Sequence, residues 1–169
     1  MNISIKKVVM KADNSTALKL ESPYHPDLPK KLRALGGTWH DGAKAWYFPT
    51  DLEKNLRDLC VEFYGLDPLA EVPAESVVLR IESPHYIEES TWWQFGRQIL
   101  RRASRDSSVQ PGEGVSIIEG GFSAAGGSRN NPTIGYANDN TILLVRNVPK
   151  AMADKFIAEN PKLDVIVVE

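Results

Sequence analysis

"STWWQFGRQILRRASR" (residues 90–105) decides how the second half of this chain is drawn. Trp92, Phe95, Ile99 and Ala103 recur at helical spacing and line one face. Trp93, Arg97 and Arg101 follow at i, i+4 and i+8 as an adjoining row, and Arg102 and Arg105 add charge near the C-terminal end, where cations suit a helix. The stretch is therefore expected to be an amphipathic helix carrying a basic, aromatic-edged ridge. Its neighbours extend the pattern. "SVVLRIES" (76–83) reads as a strand, as do "GVSIIEGGF" (114–122) and "NTILLVRNVP" (140–149). "KAMADKFIAEN" (150–160) reads as a helix entered through Pro149, and "DVIVVE" (164–169) as a last strand. The order βαββαβ predicts a ferredoxin-like module over 75–169, with both helices on one face of a four-stranded antiparallel sheet.

Between the middle strands runs a long glycine-rich loop, residues 120–140, longer than a hairpin needs. Its opening, "GGFSAAGGSRNNP" (120–132), holds four of the twelve glycines. The spacing approaches that of a phosphate-binding loop, but Gly127 stands where the lysine belongs, and Asn130, Asn131 and Pro132 follow in place of a helix. A nucleophile turn fails as well, because Ala125 occupies the second close-packing glycine position. Small side chains with few apolar anchors instead predict a mobile finger, pinned at its ends by Phe122, Ile134 and Tyr136. Arg129, Asn130 and Asn131 then offer donors to phosphate oxygens or backbone groups.

The first half reads as a separate module over 1–66, divided from the second by a proline-bearing linker over 67–74. "ISIKKVVMKA" (3–12) and "STALKLES" (15–22) look like strands turning at Asp13-Asn14. Leu28, Leu32 and Leu35 mark a short helix capped by Asp27 and stopped by Gly36-Gly37. "TWHDGAKAWYFP" (38–49) is expected to be a hairpin with a tight turn at Asp41-Gly42. Leu52, Leu56, Leu59, Cys60 and Phe63 form the stripe of a second helix, capped by Thr50 or Asp51 and ended by Gly65. The order is ββαββα, so the fold class is α+β in two small modules. Trp39, Trp46 and Phe48 alternate with polar neighbours as core-facing strand residues do. Lys30, Lys31, Arg33 and Lys44 are basic residues near an aromatic hairpin, a pairing that can hold phosphates while a ring stacks on a base.

The stretch 24–65, with Gly37, Trp39, Lys44, Trp46 and Phe48 at its centre, resembles the HARP (HepA-related) domain that accompanies annealing helicases. The resemblance covers residues 1–66 and implies a contribution to binding branched or single-to-double-strand DNA. The chain carries no helicase motor, so annealing activity is not implied.

Bulk composition narrows the classes. At 42% hydrophobic and 25% charged, the 169 residues have ordinary globular composition. No apolar run is long enough to cross a membrane and the N-terminus lacks a signal-peptide pattern. A single cysteine, Cys60, fits a reducing, cytoplasmic compartment. Residues 1–66 carry ten Lys/Arg against eight Asp/Glu (+2) and residues 67–169 ten against fourteen (−4), which gives the net −2 of the chain. His25, His40 and His85 share no ligand spacing, so neither metal nor cofactor is expected, and no catalytic constellation stands out. These features suggest a non-catalytic DNA-binding accessory protein of a phage or other mobile element. The alternative is a protein-binding inhibitor or adaptor, such as an anti-CRISPR protein that blocks a host nucleic-acid-processing complex, a role that suits the acidic second half.

Overall fold

The computed structural model describes residues 3–10, 14–123 and 126–168. The chain is mixed α+β and divides into two compact units, Met1–Ala74 and Glu75–Glu169. No helix among the described residues is long and apolar enough to cross a membrane.

In the first unit, strands β1 (Ser4–Val9) and β2 (Thr16–Glu21) are followed by helix α1 (Leu28–Ala34), strands β3 (Thr38–His40) and β4 (Ala45–Phe48), a 3₁₀ turn at Thr50–Leu52 and helix α2 (Glu53–Tyr64). The sheet order is β1-β2-β4-β3, antiparallel throughout. Alternation along the strands sends one face inward. Ile5 pairs with Leu20, Leu20 with Trp46, and Leu18 with Phe48, and all five are buried. Leu28 and Leu32 of α1 and Leu56, Cys60 and Tyr64 of α2 close over that face at i, i+4 spacing. Gly37 follows α1 so closely on β4 that a Cβ there would lie 2.4 Å from the Phe48 ring. Asp27 and Leu52 occupy the two N-cap positions without a side-chain capping bond. Of the expected first turn, Asp13 lies outside the described residues, and Asn14 adopts a left-handed φ of 56°.

The tight Asp41-Gly42 turn is not what forms. His40 pairs with Ala45, leaving four residues in the loop. The Lys44 N–H donates to the Asp41 carbonyl at 3.3 Å, and the left-handed residue is Lys44, with φ of 47°. A four-residue loop around an ordinary turn thus replaces the two-residue one.

The second unit contains strands β5 (Ser76–Glu82), β6 (Tyr86–Ile87), β7 (Thr91–Gln94), β8 (Arg97–Arg102), β9 (Val109–Pro111), β10 (Val115–Glu119), β11 (Gly135–Tyr136) and β12 (Ile142–Pro149), then helix α3 (Lys150–Glu159) and strand β13 (Val165–Val168). Strands β10-β12-β5-β13 form one antiparallel sheet, in which Val165 of β13 pairs with Ile81 of β5. Strands β7-β8-β9 form a second sheet and β11-β6 a small ribbon. Leu79, Ile81, Leu143 and Val145 pack with Ile99, Leu100, Phe95 and Phe156 into one core.

The helix expected over 90–105 is absent, and with it the two-helix layer of a ferredoxin-like module. The stretch is the β7–β8 hairpin. Gln94 pairs with Arg97 across a two-residue turn, in which Phe95 (φ 54°) and Gly96 (φ 68°) are both left-handed. That is the backbone of a hairpin turn matched to strand twist, and a right-handed helix cannot include it. Trp92 lies opposite Leu100, so residues spaced for a helix face are gathered across a hairpin instead. The row Trp93–Arg97–Arg101 does not exist.

The described residues of the glycine-rich stretch are paired across it and to neighbouring strands. Bridges join Phe122 to Ala137 and Gly127 to Pro132, and Tyr136 of β11 pairs with Tyr86 of β6. The Ser123 N–H donates to the Tyr136 carbonyl, that of Thr133 to Gly126, and that of Ile134 to Glu89. Ile134 is fully buried. Ala124 and Ala125 lie outside the described residues.

Candidate nucleic-acid interface

The first unit holds a recess of about 270 Å³ beside the turn end of its β3–β4 hairpin. Leu20, Leu28, Pro29 and Trp46 supply apolar lining, and Tyr24, His25, Arg33, Trp39 and Lys44 complete the wall. Strand pairing explains the aromatic part. Trp39 of β3 stands directly opposite Trp46 of β4, with ring centroids 5.4 Å apart and planes tilted by 56°. Trp46 is buried, whereas Trp39, on the edge strand, is 40% exposed. The Arg33 guanidinium sits 5.4 Å from the Trp46 ring centroid, a cation–π distance. Tyr24, at the mouth, is 70% exposed.

Polar contacts hold the wall in place. The Trp39 indole N–H donates to Asp41 Oδ1 at 2.9 Å. That bond, with the Lys44 ammonium 3.6 Å away, holds the Asp41 carboxyl below its ordinary range. Burial keeps the His25 imidazole below the usual histidine range, with Asp27 opposing. Its Nδ1 accepts the Asp27 N–H at 3.2 Å, and its ring meets Phe63 edge-on at 4.9 Å. A neutral His25 therefore lines the recess, and the cations there are Arg33 and Lys44.

The other basic residues of α1 point elsewhere. Lys31 pairs with Glu62 at 2.5 Å and lies over Phe63. Lys30 is exposed and, like Arg33, makes no ion pair with a described residue. Tyr24 and His25 were not expected at this site. The signal for them is the proline-bounded pair in "PYHP" (23–26), two rings on a stiff segment just before a helix.

In the second unit the expected ridge residues scatter. Arg102 is 1% exposed and donates to the carbonyls of Ser123 at 2.5 Å, Ile134 at 2.9 Å and Ser107 at 3.0 Å. It is a keystone of the core and presents no guanidinium to a partner. Arg97 is half-buried and donates to the carbonyl of Arg146, which lies in a bulge of β12. Burial lowers the Arg97 pKa, with Glu113 opposing. Arg105 is exposed but is bound by Asp106 at 2.8 Å. Arg101 alone of the four is exposed without an ion pair to a described residue. Trp93 lines a recess with Glu88 and Glu89, whose charge repels phosphate. Arg129, Asn130 and Asn131 sit together on the exposed tip of the glycine-rich hairpin, where the Ser128 N–H donates to the Asn131 carbonyl.

Burial pushes the Cys60 thiol up to about 12, which removes it as a nucleophile at neutral pH. Among the described residues no group of three or more His, Cys, Asp or Glu side chains is placed to hold a metal ion. No family model, curated protein or solved structure matches the chain.

Proposed function

We propose that this chain is a non-catalytic DNA-binding accessory protein whose first unit takes an unpaired base into its aromatic recess. One observation carries the reading: Trp39 stands 40% exposed over a wall that also presents Arg33 and Lys44. An exposed indole stacks on any base, and two flanking cations meet the phosphates on either side. The volume, about 270 Å³, lies below the range of about 300–1,000 Å³ common for drug-sized ligands and suits a single planar ring system. The excess of positive charge in residues 1–66 and the HARP resemblance of the same residues support the choice of DNA. Arg101 and the hairpin tip Arg129–Asn131 are outlying contacts in this proposal, outside the recess.

The test is fluorescence anisotropy with labelled single-stranded, duplex and forked DNA across a salt series. Single-stranded or forked DNA binds more tightly than duplex. Trp39→Ala costs about 1–3 kcal/mol of affinity, the usual contribution of one stacked base. Arg33→Ala with Lys44→Ala reduces the salt slope by about 1.4, which is about 0.7 for each of two lost phosphate contacts. Absence of binding by the wild type at low salt sinks the proposal and favours the inhibitor or adaptor reading.

A further inference from the structure

Recognition chemistry of the opposite sign lies in the second unit. Tyr86 of β6 and Tyr136 of β11 are directly paired, with ring centroids 4.7 Å apart, and are 46% and 55% exposed. His85 meets the same Tyr136 ring at 5.5 Å. Ile87 points inward, so alternation turns Tyr86 and Glu88 outward together. From Tyr86 the surface falls into a recess of about 590 Å³, walled by Pro84, Glu88, Glu89, Thr91, Trp92 and Trp93.

Two features select the occupant. Glu88 and Glu89 are exposed and form no ion pair with any described residue. Arg101, which pairs with Thr91 across the β7–β8 hairpin, bridges to neither. The recess therefore sets the rings of Tyr86 and Trp92 beside two carboxylates that no described lysine or arginine pairs with. A phosphate chain would meet two negative charges there. Among cations, a guanidinium stacks flat on tyrosine or tryptophan and forks to a carboxylate, which an ammonium does not.

We propose that this aromatic, doubly acidic recess docks an arginine-bearing segment of a partner protein. The lining residues all belong to the second unit, and this proposal stands whether or not the DNA-binding reading of the first unit holds.

The experiment records ¹H–¹⁵N spectra of the full chain during titration with three probes: a Gly-Arg-Gly-Arg-Gly peptide, its lysine counterpart and oligothymidylate. The arginine peptide is expected to shift the Trp92 and Trp93 indole N–H signals and the Tyr86 and Tyr136 amides, and to bind more tightly than the lysine peptide. The double change Glu88→Gln and Glu89→Gln weakens it by about tenfold, and Tyr136→Ser by about threefold. The three positions are exposed, and unchanged dispersion elsewhere in the spectrum verifies the fold. The proposal is overturned by an absence of shifts at millimolar arginine peptide. Equal affinity in the Glu88 and Glu89 variant, or equal affinity for the lysine peptide, overturns it too. So does displacement of the same signals by oligothymidylate.

Discussion

Replacing Arg102 with methionine keeps most of the side-chain volume and removes its donors, so it isolates what the buried guanidinium does. In the wild type the bonds to Ser123 and Ile134, at 2.5 and 2.9 Å, tie β8 to both arms of the glycine-rich hairpin. A hydrogen bond from a charged donor contributes about 1.5–3 kcal/mol, so these two alone are worth about 3–6. Water can re-solvate the Ser123 carbonyl, which is only partly buried, but reaches the buried Ile134 bond poorly. The expected net loss for Arg102→Met is about 3–4 kcal/mol, a large share of the roughly 5–15 that holds a domain folded. Arg102→Lys, which keeps the charge with fewer and differently aimed donors, falls between. Urea unfolding gives the total. Native-state hydrogen exchange at the Ser123, Ile134 and Ala137 amides gives the location, because these donate to Tyr136, Glu89 and His85 across the ribbon. Where exchange proceeds through opening of the hairpin, 3 kcal/mol lowers protection by about two orders of magnitude. A stability change below about 1 kcal/mol, with protection intact, would show that the hairpin holds itself and that Arg102 is no keystone.

Two further predictions concern titrating groups in the first unit. Cys60, with its thiol near 12, is present as thiolate at roughly one part in ten thousand at pH 8, so iodoacetamide should label it only as fast as the unit opens; prompt labelling of the native protein refutes its burial. His25 is held below its ordinary value when folded, so the unfolded chain takes up its proton first as pH falls. The stability of the first unit should be full above the ordinary histidine range and decline as pH drops through it toward the folded value. His25→Gln should flatten that decline between about pH 7 and 5 in urea melts, and an unchanged slope rejects the assignment.

What was legible in the sequence depended on how local the deciding contact is. The leucine stripe Leu28–Leu32 and the stripe Leu56–Cys60 are each read within one helix, and both appear with their buried faces where spacing puts them. The stretch 90–105 misleads because Trp92, Phe95 and Ile99 suit two geometries. As a helix they share a face; as a hairpin, Phe95 is the turn, and Trp92 meets Leu100 across it. Gly96 was the one local dissent, costing about 1 kcal/mol in a helix interior and little in a left-handed turn.

The arginines follow the same logic. Charge on a helix face implies exposure, but on a strand with alternating sides Arg102 points inward, and carbonyls from residues 107, 123 and 134 receive it. None of those acceptors is near Arg102 in a helical drawing, so no reading of residues 90–105 alone could place it inside. Composition alone makes the glycine-rich stretch read as a mobile finger, whereas the pairing of its described residues comes from His85, Glu89 and Tyr86, some fifty residues earlier in the chain. The recess in the first unit is intermediate. Arg33 and Lys44 were legible because they flank the aromatic hairpin. Tyr24 and Trp39 come to line one recess only once β2 pairs with β4 and β4 with β3, which brings the segment after β2 to the hairpin's side. Arg33 and Trp39, one read from sequence and one placed by the sheet, line one wall. On the proposed reading, replacing either alone weakens DNA binding through different observables: Arg33→Ala through the salt slope, and Trp39→Ala through affinity at fixed salt. If both substitutions moved only the salt slope, Trp39 would be supporting a phosphate contact rather than stacking on a base.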